Sequence, residues 1–228
     1  MISLNGLTVK FGSHAVLNNL IADFEEGLIH GIVGLNGAGK TTFFNTLSCI
    51  QQLDSGTMAF QSQPISYHKI GYLESNSFFY SRITGNEYLK LFSATNTQYD
   101  IQKLNELTRV PLDNLIETYS SGMKKKLALL ALIKEDKPIY LLDEPFNNLD
   151  IESCKILELI VMHLKEKGKT VFISSHIMDT LLPICDCIHL LEAGEFKKRF
   201  DKNEFANIEE ELLGKFVESA KGIIGGAM

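Results

Sequence analysis

The chain has 228 residues, a formal net charge of −6, 45% hydrophobic residues and 22% charged ones, which is the balance of a globular protein with a substantial core. An acidic balance without a long basic stripe argues against a general nucleic-acid binder. Its longest notable apolar run, Leu127 to Ile133, is far shorter than the ~20 residues needed to cross a bilayer, and MISLNGLTVKFG lacks the plan of a secretory signal, so a cytoplasmic location is expected.

In chain order, Ile2 to Phe11 and Ala15 to Phe24 alternate apolar and polar residues around Gly12, Ser13 and His14. That pattern predicts two antiparallel strands of a side sheet. Leu28 to Val33 reads as a buried strand, and Thr42 to Ile50 carries Phe43, Phe44, Leu47 and Ile50 at helical spacing. Short strands follow at Thr57 to Phe60 and Ile70 to Leu73. The period turns helical from Thr84 to Leu107, and again from Ser120 through Ile133 until Lys137 and Pro138 stop it. Strands Ile139 to Leu142 and Thr170 to Ser174 flank a helix from Ile151 to Lys167, a β-α-β unit and hence a parallel sheet. Cys49, Cys154, Cys185 and Cys187 lack the spacing of a zinc or disulfide framework; Cys185 and Cys187 are expected as buried thiols on one face of a strand. The glycine-rich end, Gly222 to Met228, is expected to fray.

The chemistry starts between the buried strand and the first helix. Gly34, Leu35, Asn36, Gly37, Ala38, Gly39, Lys40 and Thr41 match the phosphate-binding pattern G-x-x-x-x-G-K-[ST], with Thr42 continuing into the helix. Glycines let backbone N–H groups face phosphates, and a helix start adds partial positive charge. Lys40 is expected at the β and γ phosphates and Thr41 at magnesium. Downstream, an apolar strand ends in Asp143 and Glu144, which puts two carboxylates at the carboxyl edge of the sheet beside the phosphates. Asp143 is the expected magnesium partner, direct or through water, and Glu144 could polarise a water in line with the γ phosphate.

With these motifs in this order, GLNGAGKT, YSSGM at Tyr119 to Met123, LLDEP at Leu141 to Pro145, NNLD at Asn147 to Asp150 and ISSH at Ile173 to His176, almost the whole chain resembles the nucleotide-binding domain of ABC transporters. The resemblance implies a P-loop NTPase of α/β class. Its RecA-like core, residues 1–74 and 138–221, would carry an antiparallel β side sheet, with a helical lobe inserted at 75–137. It implies adenine stacking on Phe11, and γ-phosphate binding by Ser120 and Gly122 across a dimer of two such subunits. It also implies a γ-phosphate bond from His176 and a link between the two sites through Asp150. ATP and Mg2+ are the implied ligands. The implied partners are a second ATPase subunit and separate transmembrane permease subunits at the inner face of the cell membrane, with YSSGMKKKL more like ATPases of ABC-2 exporters than of sugar importers.

This chain departs from the usual L-S-G-G-Q at Tyr119, Ser121 and Met123, and sets Ser75, with Glu74 one position earlier, where a glutamine usually ligates the metal. Lys124, Lys125 and Lys126 fall in the expected first turn of a helix, where positive charge opposes the dipole; they either make a phosphate receptor for a facing subunit or splay into water. The aromatic run Phe78, Phe79, Tyr80 reads as a partner surface or as packing between lobes. Rival readings are a nucleotide-responsive regulatory module with weak turnover, and a soluble ABC ATPase not tied to transport.

Overall fold

The computed structural model describes residues 1–92, 99–208, 210, 211 and 214, so the expected frayed end lies outside the described residues. Its centre is a six-stranded sheet of order β10-β9-β3-β8-β7-β6, built from β3 (Ile29–Val33), β6 (Ile70–Leu73), β7 (Ile139–Leu142), β8 (Thr170–Ser174), β9 (Cys187–Glu192) and β10 (Glu195–Asp201). All neighbours pair in parallel except β10, which runs antiparallel along the edge. Every residue of β3, β7 and β8 is buried, which is why these strands are apolar runs rather than alternations. A second sheet, β2-β1-β4-β5, is antiparallel and consists of β1 (Ile2–Phe11), β2 (His14–Phe24), β4 (Ser55–Phe60) and β5 (Gln63–Pro64).

Each face of the central sheet has its own core. Ile32, Leu141 and Phe172 pack with Phe24 of the side sheet and with Phe43, Phe44 and Leu47 of α1 (Lys40–Leu47). On the other face, Val33, Leu142 and Ile173 meet α4 (Ser121–Lys134) and the stripe Leu157, Val161, Leu164 of α5 (Ile151–Glu166). The sequence expectation for the two cysteines is corrected here. Cys185 precedes β9 and packs into the α4/α5 core with Ile188, whereas Cys187 opens the strand and turns to the opposite face, toward His30.

The insertion between β6 and β7 holds α2 (Gly85–Lys90), α3 (Ile101–Thr108) and α4, without strands among the described residues. Side chains prepare each start: Thr84 and Glu87 form a capping box on α2, Asp100 caps α3 and Ser120 caps α4. The apolar run Leu127 to Ile133 is buried all round because α4 lies between two cores. Leu127, Leu130 and Ala131 join Tyr88, Leu112 and Ile116 of the insertion, while Ala128, Leu129, Leu132 and Ile133 join the sheet. Phe79 packs in both clusters, so one of the three aromatics is lobe-to-lobe packing; Phe78 and Tyr80 are exposed and meet edge to face at 5.3 Å between ring centroids.

Phosphate loop geometry depends on a close approach. A Cβ on Gly34 would overlap the Leu191 carbonyl oxygen, where the loop leaves β3 beside β9. Gly34→Ala is therefore expected to cost about 3 kcal/mol or more, because backbone, not a flexible side chain, must move. Denaturant unfolding checks this; a cost below about 1 kcal/mol would contradict the packing.

Candidate active site

Four parallel strands end at one edge of the sheet and deliver the chemistry there. β3 runs into the phosphate loop, β7 into Asp143 and Glu144, β8 into Ser175 and His176, and β6 into Glu74 and Ser75. The loop closes into α1 at Gly39, whose φ of 104° is left-handed and favours glycine. Helix α1 has neither a side-chain cap nor an acidic residue in its first turn. Its first N–H groups, beyond reach of the helix's own carbonyls, are thus left to an anion. The Lys40 ammonium folds over the loop and donates to the Gly34 carbonyl at 2.7 Å and the Leu35 carbonyl at 3.4 Å.

Beside the loop runs a hydrogen-bonded chain. Thr41 Oγ1 donates to Asp143 Oδ2 at 2.9 Å, and Ser174 Oγ donates to Asp143 Oδ1 at 2.6 Å. The same serine accepts the Glu144 N–H at 2.9 Å. His176 Nδ1 lies 2.8 Å from Glu144 Oε2, which also receives the His176 N–H at 3.3 Å. A carboxylate only accepts, so Nδ1 carries the proton and Nε2 is left as the outward acceptor. Glu144 Oε1 has no such partner among the described residues.

Glu144 holds a left-handed backbone, φ 48°, which costs a non-glycine residue about 1 kcal/mol or more. Contacts on both sides hold it there: Ser174 on its N–H, and on its carbonyl the Lys125 ammonium at 3.0 Å. This corrects the reading of the three lysines. Helix α4 begins at Ser121, so Lys124 is its fourth residue, and Lys125 is buried and points inward at the Asp143–Glu144 turn. Burial pulls the Lys125 ammonium below its ordinary pKa, and Asp143 and Glu144 oppose that pull. Lys125→Met should leave ATP affinity within about twofold and lower turnover roughly tenfold, the value of one hydrogen bond to a charged group. Equal losses in affinity and turnover would assign Lys125 to binding instead.

The remaining sequence-derived positions are spread around this centre. Phe11 is exposed at the tip of the β1–β2 hairpin, whose Val16 carbonyl passes close to Gly39. Ser120 is exposed while capping α4, accepting the Met123 N–H at 3.2 Å, and Tyr119 before it is buried, its hydroxyl donating to the Pro111 carbonyl. Gly122 lies against the chain's own Asn148, where a Cβ would come within 2.8 Å of the carbonyl oxygen. Asp150 caps α5, accepting the Ser153 N–H at 2.7 Å. Glu74 is exposed and Ser75 half-buried; among the described residues neither is hydrogen-bonded to Thr41 or Asp143. Glu74 stands near enough to Tyr72 and Tyr88 to raise both phenol pKa values, after burial.

Sequence reasoning missed Ser174 and misdirected Lys125. Ser174 sits one position beyond the β7–β8 pair Leu142–Ile173, level with Asp143, which is a signal only once the strands are known to be neighbours.

A family model described as ABC transporter matches residues 17–147. The chain belongs to the ABC transporter family. It is an ATP-binding subunit of that family and an ATPase. A lantibiotic transport ATP-binding protein, SrtF of Streptococcus pyogenes, is 27% identical over 92% of this chain and 95% of its own. A bacitracin transport ATP-binding protein, BcrA of Enterococcus faecalis, is 28% identical over 96% of this chain and 79% of its own. A dimeric ATP-binding cassette in a post-hydrolysis state bound to ADP and Pi superposes with a TM-score of 0.79, covering 89% of this ABC subunit and 99% of that chain at 21% identity, a likeness of fold. The two-sheet P-loop core with its helical insertion is thus the ABC ATPase fold. No helix among the described residues is long and apolar enough to cross a membrane.

Proposed function

We propose that this subunit closes head to tail with a second ATPase subunit around two Mg-ATP and so drives separate membrane permease subunits, as an exporter. The observation that carries the reading is the continuous chain Thr41–Asp143–Ser174–Glu144–His176 beside an uncapped helix start. In it, the phosphate loop and Lys40 bind the triphosphate, and Thr41 with Asp143 supplies hydroxyl and carboxylate oxygens of the kind magnesium takes. A magnesium ion held there supplies neutralisation of phosphate charge. Glu144 orients the attacking water and accepts its proton through Oε1, and His176 fixes the other oxygen and offers Nε2 toward the γ phosphate. Phe11 stacks on adenine, Glu74 or Ser75 completes the metal shell, and Asp150 links the two sites.

Ser120 and Gly122 lie at the exposed start of α4, where they suit a nucleotide held by the facing subunit. The exposed pair Phe78 and Tyr80 supports a surface offered to the permease, and with it a location at the inner face of the cell membrane. The lantibiotic and bacitracin transport relatives favour export, and no nucleic-acid partner is expected.

ATP hydrolysis by the purified chain, measured against protein concentration, tests the shared site. Specific activity should rise with concentration until dimers saturate. A constant specific activity down to concentrations where size exclusion shows only monomer would reject the head-to-tail arrangement.

A further inference from the structure

Outside the ATP site, one cluster of side chains brings three atoms able to bind a metal within 4.8 Å of one another. His30 of β3 and Cys187 of β9 are register partners, and His189 lies two residues further along β9, so all three project from one face of the sheet. His30 and Cys187 are fully buried and His189 is 5% exposed. His30 Nδ1 is 3.2 Å from His189 Nε2 and 3.2 Å from Cys187 Sγ, and Cys187 Sγ is 3.5 Å from His189 Nε2. Phe24 meets both imidazoles edge-on, at 5.3 and 4.9 Å, and Phe172 stacks on His30, which fixes the ring planes.

At most two protons, one thiol and one imidazole, are available to hold this triangle together. His30 Nε2 is 2.8 Å from the Glu25 carbonyl, which only accepts, so the ring proton sits on Nε2 and the Nδ1 lone pair faces the cluster. If His189 Nε2 is also bare, two lone pairs face each other with one thiol proton between them. If it is protonated, it donates to His30 Nδ1 or to the Cys187 sulfur, and the triangle is held by one N–H. A cation in place of the thiol proton takes all three lone pairs at once.

The spacing also fits one class of ion. Zinc bonds of about 2.0–2.1 Å to imidazole and about 2.3 Å to thiolate, at a tetrahedral angle, place N and N about 3.3 Å apart and N and S about 3.6 Å apart. The Glu25 carbonyl on the far nitrogen of His30 is the outer partner that a metal-bound imidazole ordinarily has.

We propose that His30, Cys187 and His189 form a zinc site that staples the phosphate-loop strand β3 to β9. On binding, the Cys187 S–H bond breaks, its electron pair goes to zinc, both imidazoles donate lone pairs, and one proton leaves to solvent; nothing is oxidised or reduced. His30 is the second residue of β3, whereas the phosphate loop follows Val33 at the strand's other end, so the site lies apart from the phosphate loop.

The test uses the full untagged chain. After dialysis against trace zinc it should keep about one zinc ion per chain, with the thermal midpoint raised by roughly 5 °C at a hundredfold excess over Kd. Cobalt(II) in place of zinc should give a thiolate-to-metal absorption band, which oxygen ligands at Thr41 and Asp143 cannot produce. Cys187→Ser and His30→Asn should lose the band, and Cys49→Ser at the surface should retain it. Wild-type protein that is folded by circular dichroism yet shows no thiolate band with cobalt(II) would overturn the proposal, as would a band that survives Cys187→Ser or vanishes in Cys49→Ser.

Discussion

Glu144→Gln is expected to lower steady-state ATP turnover at least about a hundredfold while leaving the fold and nucleotide binding intact. The substitution keeps shape and removes basicity. One oxygen of the carboxylate is committed to His176, through Nδ1 at 2.8 Å and the backbone N–H at 3.3 Å, and the glutamine carbonyl can take both bonds. The other position then becomes an amide nitrogen, which donates to a water and cannot take its proton. Neither the Ser174 bond to the backbone N–H nor the Lys125 bond to the carbonyl is touched, so the left-handed turn should persist. An ATP-bound dimer that hydrolysis no longer dissolves should therefore accumulate on size exclusion with ATP and magnesium. Turnover within twofold of wild type would remove Glu144 from the role of base, and a weakly hydrolysing regulatory module would then be the better reading.

Lys40→Ala is expected to weaken ATP binding about a hundredfold, about 3 kcal/mol. The half-buried ammonium is the cation within the loop, and its bonds to Gly34 and Leu35 carbonyls are local ones that it can exchange for phosphate oxygens, which bind a cation more strongly. The helix start remains in the variant, so some affinity should survive through backbone N–H groups. Calorimetric titration with ATP and magnesium measures the difference, and thermal melting without nucleotide should show little change because the Lys40 bonds are to carbonyls of its own loop. An unchanged Kd would mean that the ammonium stays on the loop carbonyls when nucleotide binds.

Strands β3, β7 and β8 were legible because a strand covered on both faces must be apolar throughout, and the side-sheet hairpin because one face of it alone is covered. Helix α5 was legible as the crossover between β7 and β8, and the structure adds Asp150 as its cap. The edge strand β10 did not. Its Lys197, Lys198 and Arg199 resemble a loop in sequence, whereas charges on an edge strand are what keep it from pairing with another chain.

The sequence by itself determined the nucleotide chemistry, because a phosphate loop is local: glycine conformation, helix start, lysine and threonine all lie within eight consecutive residues, and Asp143 and Glu144 end a strand whose burial is written in its own composition. Only the tertiary structure decided which distant groups meet. Ser174 reaches Asp143 through the β7–β8 register, Lys125 turns inward because α4 is buried between two cores, and Cys187 meets His30, 157 positions away, through the β3–β9 register. The physical reason is that strand register and helix burial are set by packing across the whole domain; a one-residue slip of a strand would send Ser174 or Cys187 to the opposite face.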